Sequence, residues 1–412
     1  MGNQKKILFI SYDGMTDPLG QSQVLPYLLG LSKFGYKIFL LSCEKEQSFI
    51  QNKEIINNLI KDSDIEWIPL AYTKNPPVIS TMLDVYKLKK EAKRIHRQHK
   101  LDMVHTRPGV PALIGLWMKK KFGIKFLNDV RDFYADSRVD GKMWDLKNPL
   151  YRIVYRYFKR KEAEQYAVND GIICLTFAAE KVIRQLLELK KEIPLQVIPC
   201  SADLELFNPD AINEPQRTAV KTKFGIKETD TVIAYLGSVG GLYLTDEMMH
   251  FCKIAEDKIP NVKFLFISPS RHNEIADAAT RFNISLEKLI VVKASRKEVP
   301  LYLSVANFSV FFIRPCFSRK SQSPTKHGEI MAMGIPVITN REIGDVEEII
   351  QQNNSGIVIK DFSEAEYAEA VEKITSGNVF DPVSIRDGAV KFYDLSTAIK
   401  KYKSIYDSLL QH

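Results

Sequence analysis

Short, unbroken apolar runs alternate with longer amphipathic stretches along this chain, and that alternation restricts its fold more than any other feature. Residues 5–12, 36–42, 65–70, 102–106, 124–128, 171–176 and 195–199 are predominantly apolar without a polar residue at every second place. Strands buried on both faces of a parallel sheet read this way. Between them, residues 24–34, 86–100, 109–121 and 149–166 carry helical spacing. A polar stretch from about 199 to 222 interrupts the series. It then resumes with apolar runs at 231–236, 262–268, 289–292, 308–313, 336–339 and 356–359. Two successive strand–helix series predict an α/β chain of two Rossmann-like domains with parallel sheets. At 412 residues the chain is also too long for one ordinary core. The expected divisions are 1–207, 208–390 and a closing amphipathic helix within 391–412.

Composition excludes several classes. The hydrophobic fraction of 45% and charged fraction of 26% are those of a globular protein in water. No apolar run approaches the ~18 residues of a membrane span. The run after Lys5 and Lys6 is too short for a secretory signal. The five cysteines (43, 174, 200, 252, 316) are scattered and never form a CxxC pair, which points to reduced thiols in a cytoplasm. Charge is uneven. Residues 1–200 hold 33 Lys and Arg against 22 Asp and Glu, while the remainder holds 25 against 28. The two halves are expected to meet different partners.

Four stretches concentrate chemistry. Residues 323–336 read as a sharply bounded helix, with Ser323 as N-cap, Pro324 at the first position, Gly334 past the end and Pro336 beyond. Thr325, Lys326 and Glu329 are spaced to lie near one another on it. A helix start with a lysine attracts anions, and a carboxylate one turn on can accept from a vicinal diol. A capped surface helix with a Lys–Glu pair explains the same residues. Glycine-bearing strand exits at 13–23 and 237–241 can bring N–H groups to a ligand, although glycine turns also serve packing. The exit at 128–140 interleaves Asn128, Asp129, Arg131, Asp132, Tyr134, Asp136, Arg138 and Asp140, a candidate catalytic wall. In the helix 149–166, Tyr151, Tyr155 and Phe158 share a face among Arg152, Arg156, Lys159 and Arg160. This suits anionic lipid, or a core helix with a basic outer face; single-stranded nucleic acid is the weakest of the three readings. Asp62 and Asp64 precede their strand and read as a solvated turn. P-loop, HExxH, GxSxG and metal-spaced His/Cys patterns are missing.

Together the glycine-bearing opening, residues 198–209, the Tyr235-Leu236-Gly237-Ser238 exit and the Ser323-Pro324-Thr325-Lys326…Glu329…Gly334-Ile335-Pro336 segment resemble GT-B glycosyltransferases, and within them retaining family 4. The opening around Asp13, Gly14 and residues 17–23 looks like bacterial enzymes of surface polysaccharide synthesis. The resemblance implies two domains around a cleft, with the C-terminal helix packing back toward the first. It implies metal-independent transfer of a sugar, with retention, from a nucleotide diphosphate sugar to a glycan or lipid-linked acceptor. No cofactor and no nucleic acid are expected; the protein would be cytoplasmic, with the inner face of the plasma membrane as a further candidate partner. By the same resemblance Glu329 holds the donor ribose and Ser323, Thr325 and Lys326 face the diphosphate. Gly237 and Ser238 lie beside the phosphates, and Gly20 lies under the donor sugar. Asp129 and Arg131 border the reacting sugar, and Lys326 stabilises the leaving group. The chain departs from the pattern twice. Ser321 stands where family 4 often has a first glutamate, and residues 238–245 lack the usual Arg and Lys, leaving Lys326, Arg314 or Arg319 to compensate. A nucleotide-sugar epimerase of the same plan and a non-catalytic two-lobed sugar-binding protein are the alternatives.

Overall fold

A computed structural model describes residues 4–187, 193–377 and 380–411, which form two compact units divided at Pro199/Cys200 and again at Asp394/Leu395. The first unit holds β1 (Lys6–Ser11), β2 (Lys37–Glu44), β3 (Ile65–Ala71), β4 (Met103–Thr106), β5 (Lys125–Val130), β6 (Gly171–Cys174) and β7 (Leu195–Val197). All are parallel, in the order β3-β2-β1-β4-β5-β6-β7. The second unit holds β8 (Thr231–Leu236), β9 (Val262–Ile267), β10 (Leu289–Val292), β11 (Phe308–Phe311), β12 (Val337–Asn340) and β13 (Gly356–Ile359). These are also parallel, ordered β10-β9-β8-β11-β12-β13. This is the α/β plan that the apolar runs predict.

Unbroken apolarity in the strands reflects helices on both faces. In the first sheet Ile7, Phe9, Ile38, Leu40 and Met103 face one core, whereas Leu8, Ile10, Phe39, Leu41 and Val104 face another, as period-2 geometry requires. Each sheet also has one point where the chain reverses its winding, between β1 and β4 and between β8 and β11. Loops leaving two such strands diverge and open a crevice at the carboxyl ends.

Several expected boundaries move. Residues 200–207 belong to the second unit rather than the first. The Ala202 N–H donates to the Tyr393 carbonyl at 2.9 Å, Phe207 is fully buried in that core, and Arg386 reaches the carbonyls of Leu204 and Phe207. The 391–412 segment also divides. Helix Pro382–Tyr393 stays with the second unit, where Gly328 allows the Tyr393 ring so close that a Cβ would lie 2.7 Å from its Cγ. Helix Leu395–Leu410 belongs to the first unit. Tyr402, Ile405, Tyr406 and Leu409 recur at three- and four-residue intervals, and bury against Tyr27, Leu28, Leu31 and Met103. Each such side chain is worth about 1.5–3 kcal/mol, an upper figure because unfolded chains already bury some surface. Two stretches read as loops contain helices instead: Pro18–Gln23, started by Pro18, and Tyr134–Asp140.

Polar contacts pin the closing helix as well. The Tyr402 hydroxyl donates to Asp129 at 2.9 Å and receives from Arg131 at 3.2 Å, while Tyr406 and His105 Nδ1 share a 2.7 Å bond. Replacing Tyr402 with phenylalanine takes a donor from a buried carboxylate. We expect Tyr402→Phe to lower unfolding stability by about 1–3 kcal/mol, read by urea denaturation as a lower midpoint at unchanged slope.

Candidate active site

The crevice of the second sheet is built from four strand exits. After β8 the chain turns through Gly237, Ser238, Val239, Gly240 and Gly241, with φ of +121° at Gly237, +78° at Gly240 and +65° at Gly241. Only glycine adopts such angles cheaply. Gly237 has a second constraint, because a Cβ there would lie 2.7 Å from the Lys326 amine. Ser238 is exposed, and its carbonyl accepts from the Tyr235 hydroxyl.

Lys326 lies in the first turn of helix Thr325–Ala332, directly beneath that loop. The residue is 8% exposed, and its amine sits 3.7 Å from the Tyr243 ring centre and 4.4 Å from that of Tyr235. Among the described residues its amine makes one hydrogen bond, a long 3.3 Å contact to the Tyr235 hydroxyl. Two aromatic faces compensate a buried ammonium incompletely. Burial therefore pulls the amine down to about 7, with Glu329 pulling the other way. Glu329, one turn on and 6% exposed, accepts at 2.8 Å from Arg296, which leaves β10. Its carboxyl is pushed up by burial, against the opposing charges of Arg296 and Lys326.

The helix begins one residue later than its sequence suggests. Pro324 is the N-cap, so Ser323 does not cap the helix; its hydroxyl accepts instead from the Cys200 N–H at 3.1 Å. Thr325 is half-buried at the first helical position, and Gly334 ends the segment at φ +71°. Ser321 lies buried inside the turn Phe317–Ser321 and donates to the Ser318 carbonyl. Arg319 is buried on Gln322 and Ser318, and Arg314 is half-buried at the exit of β11. Arg271, from the exit of β9, donates to the Val239 carbonyl at 2.9 Å, packs against Gly240 and pairs with Glu274 at 2.6 Å. It puts a guanidinium on a loop that carries no cation of its own. Neither Arg271 nor Arg296 is singled out by the sequence. Each follows its strand by only four residues, which is the one signal that could have found them. Among the described residues no group of three or more His, Cys, Asp or Glu is arranged to hold a metal ion.

The first unit treats its expected site residues differently. Asp129 is 1% exposed, with Tyr402 at 2.9 Å, His105 at 3.6 Å and Arg131 at 3.8 Å. Burial works against its ionised form, but Arg131, His105 and Arg107 together hold the carboxyl below the usual range. Arg131 is itself buried, reaching Tyr402 and Gln23. These groups anchor the closing helix and do not form an open wall. Gly20 is explained by packing, since a Cβ there would lie 2.2 Å from the Gly14 carbonyl oxygen. Glu44, not singled out by the sequence although it is a lone acid ending an apolar run, shapes the turn beside Gly14. It accepts from the N–H groups of Met15 and Thr16.

Within helix Pro149–Val168, Tyr151, Tyr155 and Phe158 are not the outer face. Phe158 is core and Tyr155 donates to Asp136. The exposed stripe is Leu150, Ile153 and Tyr157, beside exposed Arg152, Arg156 and Arg160. Lys159 is held by Asp136 and Glu162. Helix Ile79–His99 has a similar outer stripe of Ile79, Met82, Leu83 and Tyr86, with Met82 67% exposed.

Lys326 gives stability a pH signature. Its folded pKa lies below the unfolded one, so the unfolded state binds more protons between about pH 7 and 10.5. Stability should rise through that window, by at most about 1.4 kcal/mol per pH unit. Urea denaturation at pH 7 and 9 should show this rise in the wild type and lose most of it in Lys326→Met.

Comparison with known proteins finds similar chains. Residues 232–376 match the family described as Glycosyl transferases group 1. The alpha-monoglucosyldiacylglycerol synthase of Streptococcus pneumoniae is 21% identical over 263 residues, 61% of this chain; the chain spans about half of that relative, 54% of its length. Among solved structures, sucrose-phosphate synthase from Thermosynechococcus elongatus superposes with a TM-score of 0.72 at 15% identity, covering 99% of both chains. WaaG, a glycosyltransferase involved in lipopolysaccharide biosynthesis, gives 0.67 at 15% identity, over 98% of this chain and 100% of its own. HepE from Anabaena, solved with UDP and glucose, gives 0.67 at 12% identity, over 98% and 100%. The whole chain therefore shares the GT-B fold of these solved structures, and residues 232–376 match the group 1 glycosyl transferase family.

Proposed function

We propose that this protein transfers a sugar from a nucleoside diphosphate sugar to a glycan acceptor, carried on a lipid, with retention and without a metal ion. The observation that carries this reading is the pairing at the switch point of the second sheet. An under-compensated amine lies beneath a glycine loop, and a buried carboxylate lies one helical turn further on. A diphosphate would neutralise the first, and a ribose diol would donate to the second. Solved GT-B structures described as complexes with UDP or UDP-glucose, HepE among them, support a nucleotide-sugar donor.

The leaving diphosphate carries two or more negative charges that protein groups must stabilise as they develop. Lys326 is the central one, with the first-turn N–H groups at Thr325 and Lys326 lacking intrahelical partners. Gly237 and Ser238 offer backbone close to the same anion, and Arg314 and Arg271 lend charge at the rim. Because the amine sits near 7 without ligand, an arriving diphosphate draws a proton onto it. Binding should therefore weaken as pH rises above about 7. Calorimetry with UDP, GDP and ADP from pH 6 to 9 should show that decline in the wild type and a flat profile in Lys326→Arg. Glu329→Ala should weaken the preferred nucleotide about 10-fold or more, with circular dichroism unchanged. Equal affinity in that variant would remove the ribose assignment, and activity abolished by EDTA would remove metal independence.

No helix among the described residues is long and apolar enough to cross a membrane. The outer stripes of helices Pro149–Val168 and Ile79–His99, each beside basic residues, support peripheral attachment to an anionic leaflet, on the cytoplasmic side. Flotation with phosphatidylglycerol vesicles should recover the wild type. Replacing Arg152, Arg156 and Arg160 by glutamine should abolish recovery, since each cation near the surface is worth about 1 kcal/mol.

A further inference from the structure

We propose that Arg296 is a positioning residue of the nucleotide site, holding one oxygen of Glu329 so that the carboxylate stays ionised and its other oxygen is left to a ligand hydroxyl. This rests on the reading of Glu329 as the ribose acceptor. The pair is asymmetric. The Glu329 side chain is 9% exposed and that of Arg296 is 48% exposed, so the cation keeps much of its hydration while the anion loses nearly all. The bond is short, 2.8 Å from Nη1 to Oε1, and among the described residues no other side chain hydrogen-bonds this carboxylate.

Among the described residues the charged groups with the largest influence on Glu329 are Arg296, Lys326 and Asp203. Asp203 repels it. Lys326 attracts it weakly, because the amine is itself driven toward neutrality. Only a guanidinium, which keeps its proton in every protein setting, supplies a dependable counter-charge. The backbone that carries Arg296 is fixed for the task. Ser295 donates to Glu298 from its N–H at 2.9 Å and its hydroxyl at 2.6 Å, closing the turn. The Arg296 guanidinium also lies 5.4 Å from the Phe207 ring centre, which limits its sweep. Sequence places Arg296 and Glu329 33 residues apart, and only the second sheet brings them together.

Two measurements test this. With glutamate labelled at the side-chain carboxyl carbon and the Glu329 signal assigned from Glu329→Gln, its titration can be followed by NMR without ligand. Arg296→Met, which keeps an apolar stem against Phe207, should raise the Glu329 midpoint by about one pH unit or more, and Arg296→Lys should bring part of it back. In calorimetry with UDP, the ratio of wild-type to Arg296→Met affinity should be about 10–100 at pH 6 and shrink toward unity by pH 8.5 as the freed carboxyl ionises. An unchanged titration, or a loss of affinity that is the same at every pH, overturns the proposal. Should the wild type bind none of UDP, GDP or ADP, the ribose reading of Glu329 fails, whereas the titration still decides whether Arg296 sets its charge.

Discussion

Burial of the Lys326 ammonium is the constraint around which the second unit is arranged. Removing such a group from water costs several kcal/mol, more than the about 2 kcal/mol a desolvated cation–π contact returns. Tyr235 on β8 and Tyr243 after the glycine loop supply the rings, and Gly237 supplies the room. The deficit that remains appears as an amine near 7. It also explains why the loop above is glycine-rich: its backbone must pass over a cation without a side chain intervening. On the proposed reading, the incoming diphosphate supplies the missing counter-charge, so binding energy and local strain are coupled at one atom.

The first unit uses similar residue types to an opposite end. There Asp129, His105, Arg131 and Tyr402 satisfy much of one another's charge inside the fold, and the result is an anchored helix. Partner supply makes the difference. Asp129 faces the guanidinium groups of Arg131 and Arg107, which favour its ionised form, whereas Glu329 has one guanidinium and a neighbouring amine that burial drives toward neutrality.

Much of the plan was legible in the residues. Apolar runs located the strands of both sheets, and Lys326 with Glu329 was visible because three-residue spacing on a helix brings side chains together locally. Gly237 was visible for a related reason, as a glycine at a strand exit. Within the polar exit at 128–140, Asp129 and Arg131 misled, because a charge reads alike whether it faces water or a packed helix from the far end of the chain. Arg271 and Arg296 were missed because each is a single arginine whose important contact is distant. Similarly, the outer face of helix Pro149–Val168 depended on which aromatic residues the sheet took inward.

The sequence by itself determined what is local: which segments are strands buried on two faces, where helices start and stop, and which positions need glycine. The register of apolar residues and the backbone angles of proline and glycine act within a few residues, so no tertiary information is required. Only the tertiary structure decided which charges are spent on the fold and which are held for a ligand. Tyr402 meets Asp129 across 273 positions, Lys326 meets Tyr235 across 91, and Arg296 meets Glu329 across 33. A charge takes its energy from its surroundings, and those surroundings exist only once the sheets have formed.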